Sequence, residues 1–154
     1  MLVCGIELTA NEAVICLLSH QTGVFNVPDC RQRLFTFPKS ATTEDLRDFH
    51  FAFNKLMEDY QVDAVAVIER PLKGKLAGSA ISFKLETAIQ LSSLPVSLIN
   101  PSVIKEQTKR NPLLASVVDL GLKAFQQQAL NGAYAYHCTK LYPAETIDNA
   151  VKSR

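Results

Sequence analysis

The sequence predicts an α/β domain built on a mixed sheet with helices against its faces. Three observations carry that expectation. The first 37 residues hold three short apolar, strand-like runs in succession. A strongly amphipathic helical stretch follows over 43–60. After it, strand and helix alternate, the pattern of parallel crossover units. Three consecutive strands make an antiparallel meander, and the two later strands extend it in parallel, giving five strands in all.

Leu2 to Leu8 is the first strand, and Ala13 to Ser19 pairs with it as a hairpin across Thr9-Ala10-Asn11-Glu12. His20 to Asp29 carries Gly23, Asn26 and Pro28, residues of loop chemistry, and Gln32 to Phe37 reads as the third strand. Thr42 with Asp45 three residues on is a helix-start signal, and Leu46, Phe49, Phe53, Leu56, Met57 and Tyr60 recur at helical spacing. The fourth strand, Ala64 to Glu69, is apolar on both parities, as a strand covered on both faces must be. A loop, Arg70 to Gly78, leads to a helix over Ser79 to Ser92 with Ile81, Leu85, Ala88 and Ile89 on one face. Pro95 to Ile99 is the fifth strand. Asn100 then caps a helix with Pro101 at its first position, running to about Lys109. Helical signals resume over Ala115 to Phe125 and again over Ala129 to Leu141. Residues 1–142 thus form one domain, and 143–154 a polar C-terminal tail.

Composition narrows the function classes. Sixteen Lys+Arg against 15 Asp+Glu leave a net charge of +1, so any contact with nucleic acid must come from a local patch. Cys4, Cys16, Cys30 and Cys138 show no CxxC spacing, which favours buried reduced thiols over zinc, and the absence of Trp argues against a base-stacking platform. No stretch has the length or apolarity of a membrane span, so a cytoplasmic protein without membrane contact is expected. The third strand (Leu34, Phe35, Phe37) offers an edge for a homodimer.

Two carboxylates stand out. Glu7 and Glu69 each end an apolar strand, where sheet meets solvent, and an acid in such a place suits a hard cation. Taken singly, each is better read as a strand-end surface residue. Immediately after Glu69, Arg70, Lys73 and Lys75, with Lys84 beyond, ring the same end of the sheet, and Lys105 begins another helix near it. Glycines in that loop and helix-start amides suit phosphate, and Ser79 offers a hydroxyl; the alternative is a solvated basic loop. Asp63 belongs at the far end of its strand, and Glu86 on a helix surface.

This order of elements resembles the ribonuclease-H-like fold, in which the first and fourth strands lie side by side and end in acidic residues. Glu7 and Glu69 take those places. Pro101-Ser102-Val103-Ile104-Lys105 is similar to the helix start of the RuvC-type Holliday-junction resolvases. Gln128-Ala129-Leu130-Asn131-Gly132-Ala133-Tyr134-Ala135 matches the spacing of their Asp-x-x-Asp-Ala-x-Ala helix, but not its charge. The whole chain is also similar to a small uncharacterised bacterial family of that superfamily. The resemblance implies hydrolase chemistry with Mg²⁺ or Mn²⁺ held by Glu7, Glu69, Gln128 and Asn131, Glu7 and Glu69 being catalytic, and Arg70, Lys73, Lys75, Lys84 and Lys105 meeting nucleic acid or another phosphorylated ligand. Two adjoining dications need several anions between them. With amides at 128 and 131 the ions would be weakly held, and the implied protein is a weak or degenerate phosphodiesterase. The alternative is a scaffold or regulatory protein that retains the fold for partner binding.

Overall fold

The computed structural model describes residues 1–143; the tail expected at 143–154 lies, from residue 144 on, outside the described residues. Its elements are β1 Leu2–Leu8, β2 Glu12–Gln21, β3 Val24–Asn26, β4 Leu34–Thr36, α1 Thr43–Asp59, β5 Ala64–Ile68, α2 Ala80–Gln90, β6 Val96–Ile99, α3 Pro101–Arg110 and α4 Gln127–Leu141, the last preceded by a 3₁₀ turn, Ala124–Gln126.

The mixed sheet is present, with six strands instead of five, in the order β3-β2-β1-β5-β6 with β4 beside β2. The long strand β2 explains the difference. Ser19, His20 and Gln21 pair with β3, while Glu12, Ala13 and Val14 pair with β4. The third position of the meander is therefore filled twice, by short strands at the two ends of β2. Gln21 faces Val24 across a two-residue turn in which Thr22 (φ 48°) and Gly23 (φ 79°) are both left-handed. That is the turn geometry whose twist suits a tight hairpin. Phe25 on β3, within the stretch expected as loop, packs against His20, Tyr134 and His137.

β1 and β5 run parallel and in step, from Val3 beside Ala64 to Ile6 beside Val67. Alternation divides the side chains between two cores. Cys4, Ile6, Leu8, Val65 and Val67 face α1 and α2, joined there by Phe35 and Phe37 against Phe49. Val3, Ala64 and Ala66 face α4, and the small residues on that side let the helix lie close. At Gly5 the approach is closest: a Cβ would overlap the Ala129 carbonyl and sit 2.8 Å from the Ala133 Cβ.

Helix boundaries follow local chemistry. Thr42 and Asp45 form the reciprocal capping box, 3.1 and 3.0 Å, that opens α1. The other end of α1 is a Schellman motif: Gln61 N–H donates to Glu58 O, Val62 N–H donates to Met57 O, and Gln61 is left-handed at φ 53°. Asn100 caps α3 through Ser102 N–H. The helix expected over Ala115 to Phe125 is not formed. Ser116 and Asp119 exchange hydrogen bonds that open a turn. Gly121 (φ 75°) then ends it at once, with Leu122 N–H donating to Val117 O and Gly121 N–H to Val118 O.

Phe35 and Phe37 are 8% and 2% exposed. These two side chains pack in the chain's own core, while Leu34 is half-buried. Cys4, Cys16 and Cys138 are buried free thiols, and Cys30 is half-buried. Among the described residues, no helix is long and apolar enough to cross a membrane.

Candidate functional site

Because β1 and β5 are parallel and in step, their C-terminal ends coincide, and Glu7 and Glu69 come to one edge of the sheet. Asp63 lies at the opposite end, where its Oδ2 accepts from Leu2 N–H at 2.7 Å. Glu69 N–H donates to Ile99 O, which ties the end of β5 to the end of β6. α4 crosses the same edge: a Cβ at Gly132 would lie 3.1 Å from Ile68 Cγ1, so the first turns of α4, with Gln128 and Asn131, belong to this region.

Within that edge the two carboxylates differ in surroundings. Glu7 has the parity of Val3 and Gly5 and so takes the α4 face of β1. Glu69 lies one residue past the end of β5, beside α3 and α4. Glu7 is half-buried; burial raises its carboxyl above the usual range, and the Arg70 guanidinium opposes the rise. Glu69 is exposed and borders a cleft of about 290 Å³ with Asn100, Tyr136, Thr139 and Lys140. Its charge reaches Glu86 on α2, whose carboxyl is raised by burial first and by Glu69 second. Glu86 is therefore no plain surface residue: its Oε2 is shielded from solvent and makes no hydrogen bond.

The basic residues separate in the same way. Arg70 is half-buried, with its Nε shielded and without an acceptor. Lys73 and Lys75 are exposed on the loop, whose ends are pinned by Gly78 N–H donating to Pro71 O at 2.8 Å. Lys105 is exposed on the second turn of α3. Lys84 departs from the expected ring. It lines the groove between α1 and α2 beside Arg47 and His50, because α2 turns that position toward α1. Ser79 is also committed elsewhere: its hydroxyl donates to Ala10 O at 2.6 Å and accepts from Ser82 N–H as the cap of α2. Lys140, in the Glu69 cleft, is a cation that no motif in the sequence singles out.

The donor set does not suit a pair of divalent ions. Among the described residues, no three His, Cys, Asp or Glu side chains gather where they could hold a metal. Gln128 is exposed and uncharged, and Asn131 Oδ1 accepts from Gln127 Nε2 at 2.9 Å within its own helix. Two carboxylates with uncharged amides at 128 and 131 do not make a two-ion site.

The fold is similar to that of Thermus thermophilus RuvC, with a TM-score of 0.72 and 16% identity over 92% of this chain and 96% of that one. For T. thermophilus RuvC in complex with a Holliday junction substrate, the TM-score is 0.70 and the identity 18%, over 93% and 97%. The fowlpox virus resolvase in complex with Holliday junction DNA gives a TM-score of 0.50 and 12% identity over 92% and 99%. At these identities the relationship is one of ribonuclease-H-like fold. No curated protein sequence matches the chain. The match over residues 1–136 shows that the chain belongs to the family described as Protein of unknown function (DUF3010).

Proposed function

We propose that this protein binds branched or duplex nucleic acid at the Glu7/Glu69 edge and is a degenerate relative of the resolvases, with phosphodiester cleavage weak or lost. The observation that carries this reading is the Arg70–Gly78 loop. It leaves the sheet directly after Glu69, is pinned at both ends, and presents Lys73 and Lys75 to solvent. Lysines so placed neutralise phosphates without reading bases. Lys105 on α3 and Lys140 by the cleft extend the basic surface. The solved resolvase complexes with Holliday junction DNA, on the same fold, supply the class of ligand. Mg²⁺ or Mn²⁺, implied by the superfamily, does not suit the donor set.

The test is binding to a four-way DNA junction and to a matched duplex, titrated with salt. Wild-type protein should bind at low salt, with log K falling linearly against log salt. Lys73→Ala/Lys75→Ala should flatten the slope by about 2, near 0.9 for each phosphate that is no longer neutralised. No binding at low salt, or an unchanged slope in the double variant, refutes the reading. Metal-dependent cleavage arising in Asn131→Asp would mark a damaged nuclease; the binding-only reading expects none.

A further inference from the structure

We propose that the groove between α1 and α2 is a docking surface for an amphipathic helix of a partner protein, apolar on its seated face and acidic where it passes Arg47 and Lys84. The surface is built by the two helices and not by the Glu7/Glu69 edge, so the inference does not depend on the nucleic-acid reading.

The groove follows from how the two helices divide their side chains. Phe49, Phe53, Leu56 and Met57 of α1 and Leu85, Ala88 and Ile89 of α2 are buried in the core they share with the sheet. β4 and β5 both run parallel to β1, so α1 and α2 leave the same end of the sheet and lie side by side in the same sense. Between them runs a groove of about 540 Å³ whose apolar lining includes Leu46, Phe83 and Ala88, the first two only half-buried. A second hollow, reaching Met57 and Leu94, continues it past Leu91, which lines both. From Thr43 to Met57 the α1 wall covers about 21 Å, close to four turns of helix. Leu91 is 71% exposed, and Phe51, one turn beyond Arg47, is 72% exposed. A compact ligand would be enclosed over most of its surface, whereas a long open groove between two helices takes the ridge of a third.

Charge identifies the occupant. Arg47 from α1 and Lys84 from α2 line one end of the groove from opposite walls. Among the described residues the ion pairs are Arg31–Asp59, Lys55–Asp59 and Arg110–Glu106, and neither cation joins them. The polar groups beside them have partners of their own: the Thr87 hydroxyl donates to Phe83 O at 2.9 Å, and Asn54 Nδ2 lies 3.2 Å from His50 Nε2. Among the described residues no acid lines this end, and Glu58 lines the other. Two cations over an apolar floor select an anionic partner by charge and hold it by burial. A phosphodiester would use the cations and leave the floor wet. A second copy of this chain, turned end for end, would bring the single groove carboxylate Glu58 to two cations. A helix with acids on successive turns answers both.

The experiment is fluorescence anisotropy with a labelled four-turn helical peptide carrying leucines at i, i+4, i+7 and i+11 and flanking glutamates, beside a twin with lysines in place of the glutamates. Wild type should bind the acidic peptide with a Kd of about micromolar order and the twin about tenfold more weakly. Arg47→Glu/Lys84→Glu should invert that preference, and Leu91→Ser should weaken the acidic peptide about tenfold. All three side chains are exposed, so these variants keep the fold. Equal affinity for the two peptides, or an acidic-peptide affinity that these variants leave unchanged, overturns the inference. Sedimentation equilibrium without peptide completes the test: a monomer supports it, and a dimer that Leu91→Ser dissociates gives the groove to a second copy and overturns it. Displacement of the peptide by duplex DNA overturns it as well.

Discussion

Gly5 of β1 and Ala133 of α4 meet without room for a methyl group: a Cβ on Gly5 would lie 2.8 Å from Ala133 Cβ and 2.9 Å from its backbone nitrogen. Neither neighbour is the end of a flexible side chain, so α4 itself must shift. Gly5→Ala should destabilise the protein by roughly 1–3 kcal/mol, the usual cost of overpacking. Urea denaturation reads this as a lower midpoint at unchanged slope. The same helix carries Gln128 and Asn131, so the displacement reaches the candidate site.

At the end of α1 the expected change is a gain. Gln61 holds a left-handed conformation (φ 53°) in a Schellman motif, where a Cβ is unfavourable and glycine is the usual residue. Gln61→Gly should stabilise by roughly 0.5–1 kcal/mol, the relief of the Cβ clash less the added freedom of the unfolded chain. A melting temperature higher by about 2–4 °C per kcal/mol would show it. An unchanged or lower value contradicts the assignment.

His137 gives an acid-side dependence. Its Nε2 lies 2.8 Å from Leu18 O on the buried face of α4, and burial holds its pKa below 6.5, with the His20 and N-terminal charges adding to the effect and the Leu18 bond opposing it. The folded value being depressed, its contribution to stability is complete above 6.5 and is lost as pH falls from there through the folded value. His137→Gln keeps an amide N–H for Leu18 O but does not titrate. Its melting temperature should fall less than that of wild type between about pH 7 and pH 5.

Glu86 works in the opposite sense. Its carboxyl is raised above 4.5 by burial and by Glu69, so stability is fullest below 4.5 and declines as pH rises through the folded value. Glu86→Gln should therefore melt higher than wild type at about pH 7.5, with the gain vanishing near pH 4.5. Glu7 has the same sign, so wild-type dependence is reduced by this variant but not abolished. Equal melting temperatures at neutral pH would mean that Glu86 is not strained by its surroundings.

The legible parts of the chain are those where local chemistry and long-range packing agree. Thr42 and Asp45 announce α1, the spacing of Phe49, Phe53 and Leu56 gives its buried face, and Asn100-Pro101 opens α3. The convergence of Glu7 and Glu69 on one edge followed from the strand order. Their different surroundings, Glu7 half-buried and Glu69 exposed beside α3 and α4, did not, because these depend on packing that no local signal sets. β3 was hidden by a hairpin turn using Thr22 in place of the usual Asn or Asp. The turn opened by Ser116 looked helical until Gly121 stopped it. Glu86 was missed for a subtler reason. Ser82, one turn earlier, is fully buried with its hydroxyl satisfied by Ser79 O at 2.6 Å, so the covered face of α2 reaches closer to Glu86 than the apolar residues alone suggest.

The single backbone hydrogen bond between Gly78 and Pro71 has a practical consequence for reshaping the molecule. It separates what lies between those residues from the sheet below, as a clasp separates a pendant from its chain. Lengthening such a segment costs only about 0.6 kcal/mol for each doubling. The reach of this protein toward a large ligand can therefore be grafted or trimmed there while Glu69 and Arg70 stay anchored.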